Sequence, residues 1–448
     1  MRSWPSAVSA TDTRPDHAEA PGTRTLRLLI SAGEVSGDRY GADLIQALTR
    51  AAAAAGRPLE IRALGGPQMS AAGARLIGDT TNRAAVGFVE PLRYLAPSLL
   101  AVARIRRLLA GWRPDAAILI DYPGFNIPLA GILKRRGGFP LIYYLPPEEC
   151  IWGKKGSRRL DRARLVRSRT DLVLTGHEQD TAFYSAQGCR VERIGHPLLD
   201  IVGTGGAIGR EQAREAVAPG HWGPLVALFP ASRRLELGLM WPLLVETAVR
   251  MVRVRSDLRF VVALAGPHLR ALLEPAVART EQEHRELAGR LNLIGAGAGV
   301  ATAADLTMAA ADLAIAKAGS VTLELALRGV PQVMVYRLDR ITEWIGRRLL
   351  GLSERDFEHM ALPNFILGES LVPEFKQHDA DPGRIAAAAL SLLEPNGPER
   401  AGQLAGLHRL HTRLGGPGAA TRGADAILAL VGGGPPRLLR SLSAVPPA

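Results

Sequence analysis

Short, continuous apolar runs separated by stretches of helix-forming composition recur along this chain and constrain its fold more than any other feature. In the first half they lie at residues 26–31, 61–64, 116–120, 141–145, 172–175 and 191–194, and charged residues interrupt the runs at 26–31, 61–64 and 191–194. In the second half they lie at residues 225–229, 260–265, 291–294, 313–316 and 332–336. Continuous apolar runs are typical of parallel strands covered on both faces by helices. The pattern therefore predicts an α/β protein with two tandem Rossmann-like domains and an interdomain cleft at the carboxyl ends of their sheets.

The segments between these runs predict the domain boundaries. Residues 201–209 are Gly-rich and lack a periodic pattern, which indicates a linker. We expect a disordered extension at 1–25, a first domain at 26–205, a second domain at 206–380, helices at 381–431 and a flexible tail at 432–448. Within the domains, helices are predicted at 39–54, 235–255, 268–288 and 319–327.

Composition excludes several classes of protein. Hydrophobic residues make up 47% of the 448 and charged residues 22%, which excludes a wholly disordered chain. The two cysteines, Cys150 and Cys189, are too few for a disulfide framework or a structural zinc site, so we expect a cytoplasmic location. No run reaches the roughly 18 apolar residues of a membrane-spanning helix. Residues 1–25 lack the apolar core of a signal peptide.

The net charge of +12 comes almost entirely from arginine, since the chain has only five lysines. Guanidinium groups pair well with phosphate oxygens, so the excess suits phosphate ligands or an anionic membrane surface. Residues 342–352 combine two arginines with apolar residues and fit either a membrane-surface patch or an amphipathic helix packed on the body. Residues 154–169 are Arg-rich and fit either binding of phosphate or lipid headgroups or a solvated face. Nucleic acid is not an expected partner, because aromatic content is 5% and no recognised binding module is present.

Residues 31–38 read SAGEVSGD and connect the first predicted strand to the first helix. Ser36, Gly37 and Asp38 then stand at a helix N-terminus, where backbone N–H groups bind an anion or a sugar. The same residues also fit an ordinary capped turn.

An acidic residue ends the apolar run at 116–120. Asp121 is placed where a general base would face the cleft, although a carboxylate before Pro123 also fits a capped turn. Asn126 fits either a ligand contact or a helix cap. His196 ends the last strand of the first half and fits a ligand contact or a buried structural histidine. No metal-ligand spacing such as HExxH occurs, so neither a metal nor another cofactor is expected.

In the second half, Ser232 and Arg233 follow the first strand at a strand-to-helix turn, as a pyrophosphate site requires or as an exposed basic turn allows. Glu236 favours the helix dipole and fits a capping box. Further along, the start of a helix carries Gly319 and Ser320. Their N–H groups suit a phosphate. Glu324 lies one turn later, where a carboxylate can hold ribose hydroxyls or remain solvated.

Taken in order, the motifs point to one family. They are SAGEVSGD, LGGPQM, VGFVEPL, PDAAILIDYPGFN, IGHPLLD, LFPASRRLE, AKAGSVTLELALRGVPQVMVYR and LPNFILGESLVPEF. From about residue 28 to about residue 375 the chain resembles the lipid-A-disaccharide synthase family, inverting glycosyltransferases of the two-domain GT-B type. The resemblance implies transfer of a diacylated glucosamine from UDP to a diacylglucosamine 1-phosphate acceptor, with a β-1,6 linkage formed and UDP released.

The resemblance also implies site residues and a location. Asp121 and Glu90 match the acids of the catalytic site, and Asn364 matches the LPN motif. The UDP side is matched by Ser232, Arg233, Gly319, Ser320 and Glu324. Family members are peripheral to the inner face of the cytoplasmic membrane, so the implied partners are a UDP-sugar lipid donor, a glycolipid phosphate acceptor and an anionic membrane surface. A homo-oligomer is left open.

Departures from the family pattern lie mostly on the acceptor side. Gly124 stands where the family usually has a second acid, and residues 145–152 read LPPEECIW instead of an SPxxWAW-like segment. On the UDP side, Lys317 is added within an Ala-Ser-Gly-like stretch. Two alternatives therefore stay open: a UDP-sugar 2-epimerase on the same fold, and a non-catalytic member that binds a nucleotide or a membrane surface.

Overall fold

Two parallel sheets, one in each half of the chain, form the centre of the protein. The structure, a computed structural model, describes residues 24–80, 90–147, 157–204, 208–232, 234–266, 269–295, 302–339, 344 and 359–432. Over these residues the first sheet has seven strands and the second has six. We call the parts built on them the first domain and the second domain.

The strands of the first domain are β1 (Leu26–Ala32), β2 (Leu59–Gly65), β3 (Arg75–Asp79), β4 (Ala116–Ile120), β5 (Leu141–Tyr144), β6 (Leu172–Thr175) and β7 (Val191–Arg193). Its helices are α1 (Glu34–Ala54), α2 (Pro67–Ala71), α3 (Glu90–Gly111), α4 (Pro123–Arg136), α5 (Ser157–Arg169), α6 (Glu178–Ala186) and α7 (Leu198–Thr204). The strand order is β3-β2-β1-β4-β5-β6-β7.

The strands of the second domain are β8 (Leu225–Phe229), β9 (Arg259–Ala263), β10 (Leu291–Ile294), β11 (Leu313–Lys317), β12 (Gln332–Tyr336) and β13 (Glu374–Lys376). Its helices are α8 (Arg210–Val217), α9 (Arg234–Val254), α10 (Arg270–Glu283), α11 (Ala303–Ala310), α12 (Ser320–Leu327) and α13 (Leu362–Leu367). The strand order is β10-β9-β8-β11-β12-β13. The chain ends with α14 (Pro382–Leu393), α15 (Pro398–Leu414) and α16 (Ala419–Val431).

Both faces of the first sheet are buried, which explains its continuous apolar strands. In β1, Leu28 and Ile30 pack with Leu44 of α1 on one face. Leu29 packs with Ile105 of α3 and Leu129 of α4 on the other. A strand covered on both sides loses the polar positions of a half-exposed strand. The second sheet is divided between two apolar clusters in the same way.

The C-terminal helices join the two domains. Ile385 of α14 packs in the core of the second domain, whereas Ile427 of α16 packs in the core of the first. Asp200 of α7 caps the start of α16 by accepting hydrogen bonds from the backbone N–H of Ala420 at 3.0 Å and from that of Gly418. The segment predicted as a helical unit at 381–431 is therefore shared between both cores.

All eleven predicted apolar runs form strands, with ends within two residues of those expected. The sequence did not reveal β3 and β13, two edge strands that have a charged residue at each end. The first helix begins at Glu34 instead of residue 39. The predicted linker at 201–209 is partly helical, since α7 extends to Thr204 and Ile201 is buried in the core. Residues 1–23 and 433–448 of the predicted extension and tail lie outside the described residues.

Candidate active site

The predicted motifs follow the strands at which each sheet reverses its strand order. In the first sheet that point lies between β1 and β4, and in the second it lies between β8 and β11. The turns after these four strands contain the 31–38 motif, Asp121, Ser232 and the Gly319–Ser320 pair. Ligands of open α/β sheets bind outside the carboxyl ends of strands at such points. The topology therefore places the four motifs at the carboxyl ends of the strands, where ligands of such sheets bind.

A buried asparagine joins the first two of these turns. The hydroxyl of Ser31 donates a hydrogen bond to Asn126 Oδ1 at 2.7 Å. Asn126 Nδ2 donates to the carbonyl oxygens of Ile120 and Asp121, both at 2.9 Å. Tyr143 Oη donates to the same Asp121 carbonyl at 2.9 Å. In this structure, Asn126 thus holds the backbone of Asp121 in place, and the ligand contact suggested for Asn126 remains a prediction.

The backbone is strained where these turns meet. Asp121, Tyr122 and Glu34 have φ angles of 44°, 51° and 63°, in the left-handed region that residues other than glycine seldom adopt. A glycine is required at position 33, just before Glu34, because a Cβ at that position would lie 2.3 Å from the Tyr122 ring. Such strain gathers at functional sites. Glu34 was not among the predicted site residues, and its positive φ is a signal that only the structure provides.

Asp38 and Asn364 contact protein groups in ways that build the site. The Asp38 carboxylate is buried and accepts hydrogen bonds from the backbone N–H groups of Gly66, Gln68 and Met69 at 2.8–3.0 Å, which caps α2. Asn364 donates to Val372 O at 2.8 Å and accepts from Val372 N at 2.7 Å. These contacts are structural, and ligand binding by either residue stays a prediction. Beside Asp38 on α1, Ser36 is half-buried and Gly37 is buried.

His196 is a buried histidine. Its Nδ1 accepts a hydrogen bond from Leu198 N at 3.2 Å, and its ring meets that of Tyr40 edge-on at 6.1 Å. Burial, followed by the neighbouring His177, lowers the pKa of His196 to about 3. The imidazole is therefore neutral at physiological pH and cannot supply a positive charge to a phosphate.

The predicted UDP side has an open helix start. Gly319 has a φ of 150°, and a Cβ there would meet nothing within 4 Å, so the backbone before α12 borders open space. The Thr322 hydroxyl donates to the Gly319 carbonyl at 2.8 Å and fixes this turn, which leads into Ser320. Ser232, at the neighbouring turn after β8, is exposed. Arg233 lies outside the described residues.

Lys317 ends β11, beside the turn after β8. Its Nζ lies 2.8 Å from Oε1 of the buried Glu236 and 5.4 Å from the centre of the Tyr336 ring. Glu236 of α9 is thus paired with a cation at the end of β11, and the capping box suggested for Glu236 stays a prediction. Lys317, the lysine that departs from the family pattern, therefore lies at the carboxyl ends of β8 and β11, where the turns with Ser232 and Gly319 begin.

Glu324 takes part in an ion-pair network that crosses between the domains. Arg39 of α1 donates to Glu324 Oε2 at 2.8 Å and to Asp305 Oδ1 at 3.1 Å. Arg328 also donates to Asp305 Oδ1, at 2.6 Å. Burial raises the pKa of the Glu324 carboxyl, and Arg39 opposes that shift. The second turns of α1 and α12 are therefore in contact between the two domains, and Arg39 is a residue of this contact that the sequence did not reveal.

Several predicted features fall outside these observations. Glu90 begins α3, but its side chain lies outside the described residues. So do residues 148–156 and nearly all of the 342–352 segment. Among the described side chains, no three of the His, Cys, Asp or Glu type cluster as metal ligands do. None of the helices within the described ranges combines the length and hydropathy that a membrane crossing requires.

Comparison with known proteins decides the family. Residues 28–410 match the sequence profile described as lipid-A-disaccharide synthetase. A lipid-A-disaccharide synthase of Prochlorococcus marinus (strain MIT 9313) is 38% identical over 412 residues, covering 90% of this chain and 99% of the relative. The chain belongs to the lipid-A-disaccharide synthase family. A synthase of Geobacter sulfurreducens is 32% identical over 407 residues and covers 91% of this chain and 97% of its own. The family resemblance inferred from the motifs is confirmed.

Solved structures show that the lipid-A-disaccharide synthase fold is shared more widely. A UDP-GlcNAc 2-epimerase from Neisseria meningitidis bound to UDP-GlcNAc has a TM-score of 0.61 at 10% identity, covering 90% of this chain and 100% of its own. The glycotransferase of kitacinnamycin has a TM-score of 0.55 at 17% identity, covering 92% and 100%. These likenesses confirm the GT-B architecture. They support the epimerase alternative at the level of fold only, whereas family membership indicates a glycosyltransferase.

Proposed function

We propose that the protein transfers a diacylated glucosamine from UDP to diacylglucosamine 1-phosphate, forming a β-1,6-linked disaccharide and releasing UDP. The observation that carries the proposal is the match to the lipid-A-disaccharide synthetase profile over residues 28–410. The site is consistent with it, because Asp121 and Gly319 follow strands at which the two sheets reverse their strand order, and Arg39 pairs with Glu324 between the two domains.

The chemistry is a single displacement at the anomeric carbon. The acceptor hydroxyl oxygen forms the new bond to that carbon as the bond to the UDP oxygen breaks, so the configuration inverts. Asp121, or Glu90 in its place, takes the hydroxyl proton, and UDP leaves with the bonding electrons. Arg233 and the N–H groups at Gly319 and Ser320 would stabilise the charge that develops on the β-phosphate.

Support for a UDP donor comes from both the site and the fold relatives. The Neisseria meningitidis epimerase of the same fold is bound to UDP-GlcNAc, and a second fold relative, S. aureus MnaA with a TM-score of 0.61, is in complex with UDP. The helix start at Gly319 and the cation at Lys317 are groups that bind phosphate, and the Glu324 carboxylate can accept hydrogen bonds from a ribose.

Replacing Lys317 by Met should lower kcat/KM for the donor about tenfold to a hundredfold, the usual value of a hydrogen bond to a charged group. It should also destabilise the fold by about 3–5 kcal/mol, because Glu236 loses its buried cation. Donor kinetics and thermal unfolding measure the two effects separately. In the double variant K317M/E236Q stability should return while activity stays low. Full activity in the double variant would show that Lys317 serves only as the counter-ion of Glu236.

Contact with a membrane surface is proposed through α3. Leu99 and Leu100 are 68% and 59% exposed, and Arg104, Arg106 and Arg107 are exposed on the same helix. Exposed leucines beside arginines suit an interface with anionic lipid. This contact fits the peripheral, cytoplasmic location predicted from the sequence.

The variant L99S/L100S should bind anionic phosphatidylglycerol vesicles at least tenfold less tightly, since burial of one leucine contributes about 1.5–3 kcal/mol and about 1.4 kcal/mol is a factor of ten in affinity. Vesicle sedimentation measures the effect. Trp222→Ser is the matched control, because Trp222 is 94% exposed but precedes β8, at the opposite end of the second sheet from the site. Equal losses in both variants would argue for general hydrophobic adsorption and against a contact at α3.

The test of the proposed function is turnover. Purified protein in detergent receives UDP-diacylglucosamine with and without diacylglucosamine 1-phosphate, and mass spectrometry follows the products. We expect UDP and a disaccharide only when the acceptor is present. An epimerised sugar formed without acceptor would favour the epimerase. Bound UDP with no product from either mixture would contradict the proposed acceptor and direct the search to other lipids.

A further inference from the structure

Arg39 connects the two domains through buried charges. It lies in the second turn of α1, and its guanidinium bridges Glu324 at 2.8 Å and Asp305 at 3.1 Å, both on the second domain. The three side chains are only 12–17% exposed. Charged groups this buried are stable only when paired, so the bridge depends on the domains lying together.

Asp305 gives Arg39 a fixed anchor. The Thr302 hydroxyl donates to Asp305 Oδ2 at 2.7 Å within the capping box of α11, and Arg328 donates to Oδ1 at 2.6 Å. These partners belong to the second domain and hold Asp305 whether or not Glu324 moves. Arg39, once bound to Asp305, is therefore held at a defined place beside α12.

The two oxygens of Glu324 differ in their contacts. Oε2 accepts the hydrogen bond from Arg39, whereas Oε1 accepts none from the part of the chain that the structure describes. A carboxylate clamped through one oxygen keeps one rotamer and offers the other oxygen as an acceptor. A ribose 2′,3′-diol supplies two hydroxyl donors that match such an acceptor.

We infer that Arg39 is a positioning residue: from the first domain it orients Glu324 so that the carboxylate recognises the ribose diol of the nucleotide. The inference rests on the proposed function, which assigns the ribose to Glu324. It follows that full recognition of the ribose requires the two domains to lie together, so nucleotide binding and domain approach are coupled through one side chain.

If Arg39 blocked Glu324 instead of positioning it, the effect of removing Arg39 on nucleotide binding would have the opposite sign. If the Arg39–Glu324 pair had to break before the ribose could bind, removal of Arg39 would free Glu324 and tighten nucleotide binding. If Arg39 positions Glu324, its removal weakens binding, and only for nucleotides that have the diol. Two measurements distinguish these roles of Arg39. They are the direction of the change in UDP affinity when Arg39 is removed, and whether that change requires the ribose hydroxyls.

Calorimetric titration of UDP and of 2′,3′-dideoxy-UDP tests the inference on the full chain. The wild type should prefer UDP by about tenfold or more, the value of hydrogen bonds to a charged group. R39M should lose most of this preference and bind dideoxy-UDP as the wild type does. R39K, which keeps a cation beside Asp305 but cannot bridge two carboxylates in a fork, should retain part of it. R62M is the control, since Arg62 pairs with Glu60 at 2.8 Å within the first domain.

E324L distinguishes the two levels of the proposal, because leucine is similar in size and has no atom that accepts a hydrogen bond. If E324L keeps the full preference for UDP, Glu324 does not bind the ribose, and both that role and the inference fail. If E324L loses the preference but R39M and R39K keep it, the inference alone is wrong. Tighter UDP binding by R39M would also overturn it. Thermal unfolding checks each variant, and R39K provides the answer if R39M does not fold.

Discussion

Asp121→Asn should lower kcat by about 10²–10⁴-fold, the usual contribution of a general base, with UDP affinity nearly unchanged. The substitution removes the proton acceptor and keeps the shape of the side chain. Asparagine also tolerates the left-handed backbone that Asp121 adopts at a φ of 44°. The hydrogen bonds of Asn126 and Tyr143 go to the carbonyl oxygen of this residue, so they remain. Acceptor-dependent turnover and UDP titration measure the two quantities.

Asp115→Asn is the matched control, because Asp115 and Asp121 flank opposite ends of β4. Asp115 precedes β4 and accepts hydrogen bonds from Arg27 N at 2.8 Å and from Arg24 at 2.9 Å, at the end of the sheet away from the site. Its loss should cost stability, about 1–3 kcal/mol, and leave kcat unchanged. Full activity in D121N would exclude Asp121 as the base. Glu90→Gln would then be measured in the same assay, because Glu90 is the other predicted acid.

Arg233→Ala should reduce kcat/KM for the donor by about 10²–10³-fold, as removal of one group that stabilises transition-state charge does. The basis is its sequence position after Ser232, at the turn that follows β8, next to β11 and the open helix start at Gly319. Charge develops on the β-phosphate as UDP leaves, and a guanidinium there stabilises the transition state more than the bound donor. We therefore expect kcat to fall as well as KM to rise. Donor kinetics at saturating acceptor measure both.

Arg234→Ala is the control for Arg233. Arg234 is the next residue, begins α9 and is exposed, so its removal takes the same charge from the same turn. Its effect should be small, since exposed charges in water are strongly screened. Equal losses in the two variants would indicate a general basic surface instead of a specific diphosphate contact. Full activity in R233A would contradict the diphosphate assignment.

Much of the fold could be read from the sequence because both sheets are buried on both faces. A strand such as β4 has no solvent-facing positions, and its apolar run coincides with the strand itself. Two of the edge strands, β3 and β13, give no such signal. β3 reads RLIGD and is partly exposed along its length, so its composition resembles that of a loop. It pairs in parallel with β2, with a register shift between Ala63 and Leu64.

Motif order and residue type identified the family and placed the chemistry at the carboxyl ends of particular strands. They did not separate residues that bind a ligand from residues that build the site. Asp38 and Asn126 lie within motifs and fit a ligand contact by type, yet in the structure both bind the backbone of adjacent turns. Only the path of those turns reveals which carboxylates and amides are already in use.

The sequence by itself determined the two α/β domains, their buried strands and the family, since these depend on local patterns of apolar and glycine residues. Tertiary structure alone decided which side chains meet between the two domains. Arg39 and Glu324 are 285 residues apart and lie in different domains. Their contact depends on how α12 and α16 pack against the first domain, through residues such as Leu323 and Ile427. A local sequence pattern cannot reveal that Arg39 and Glu324 are in contact. An ion pair between domains depends on the relative position of two cores, and each core is formed by a different part of the chain.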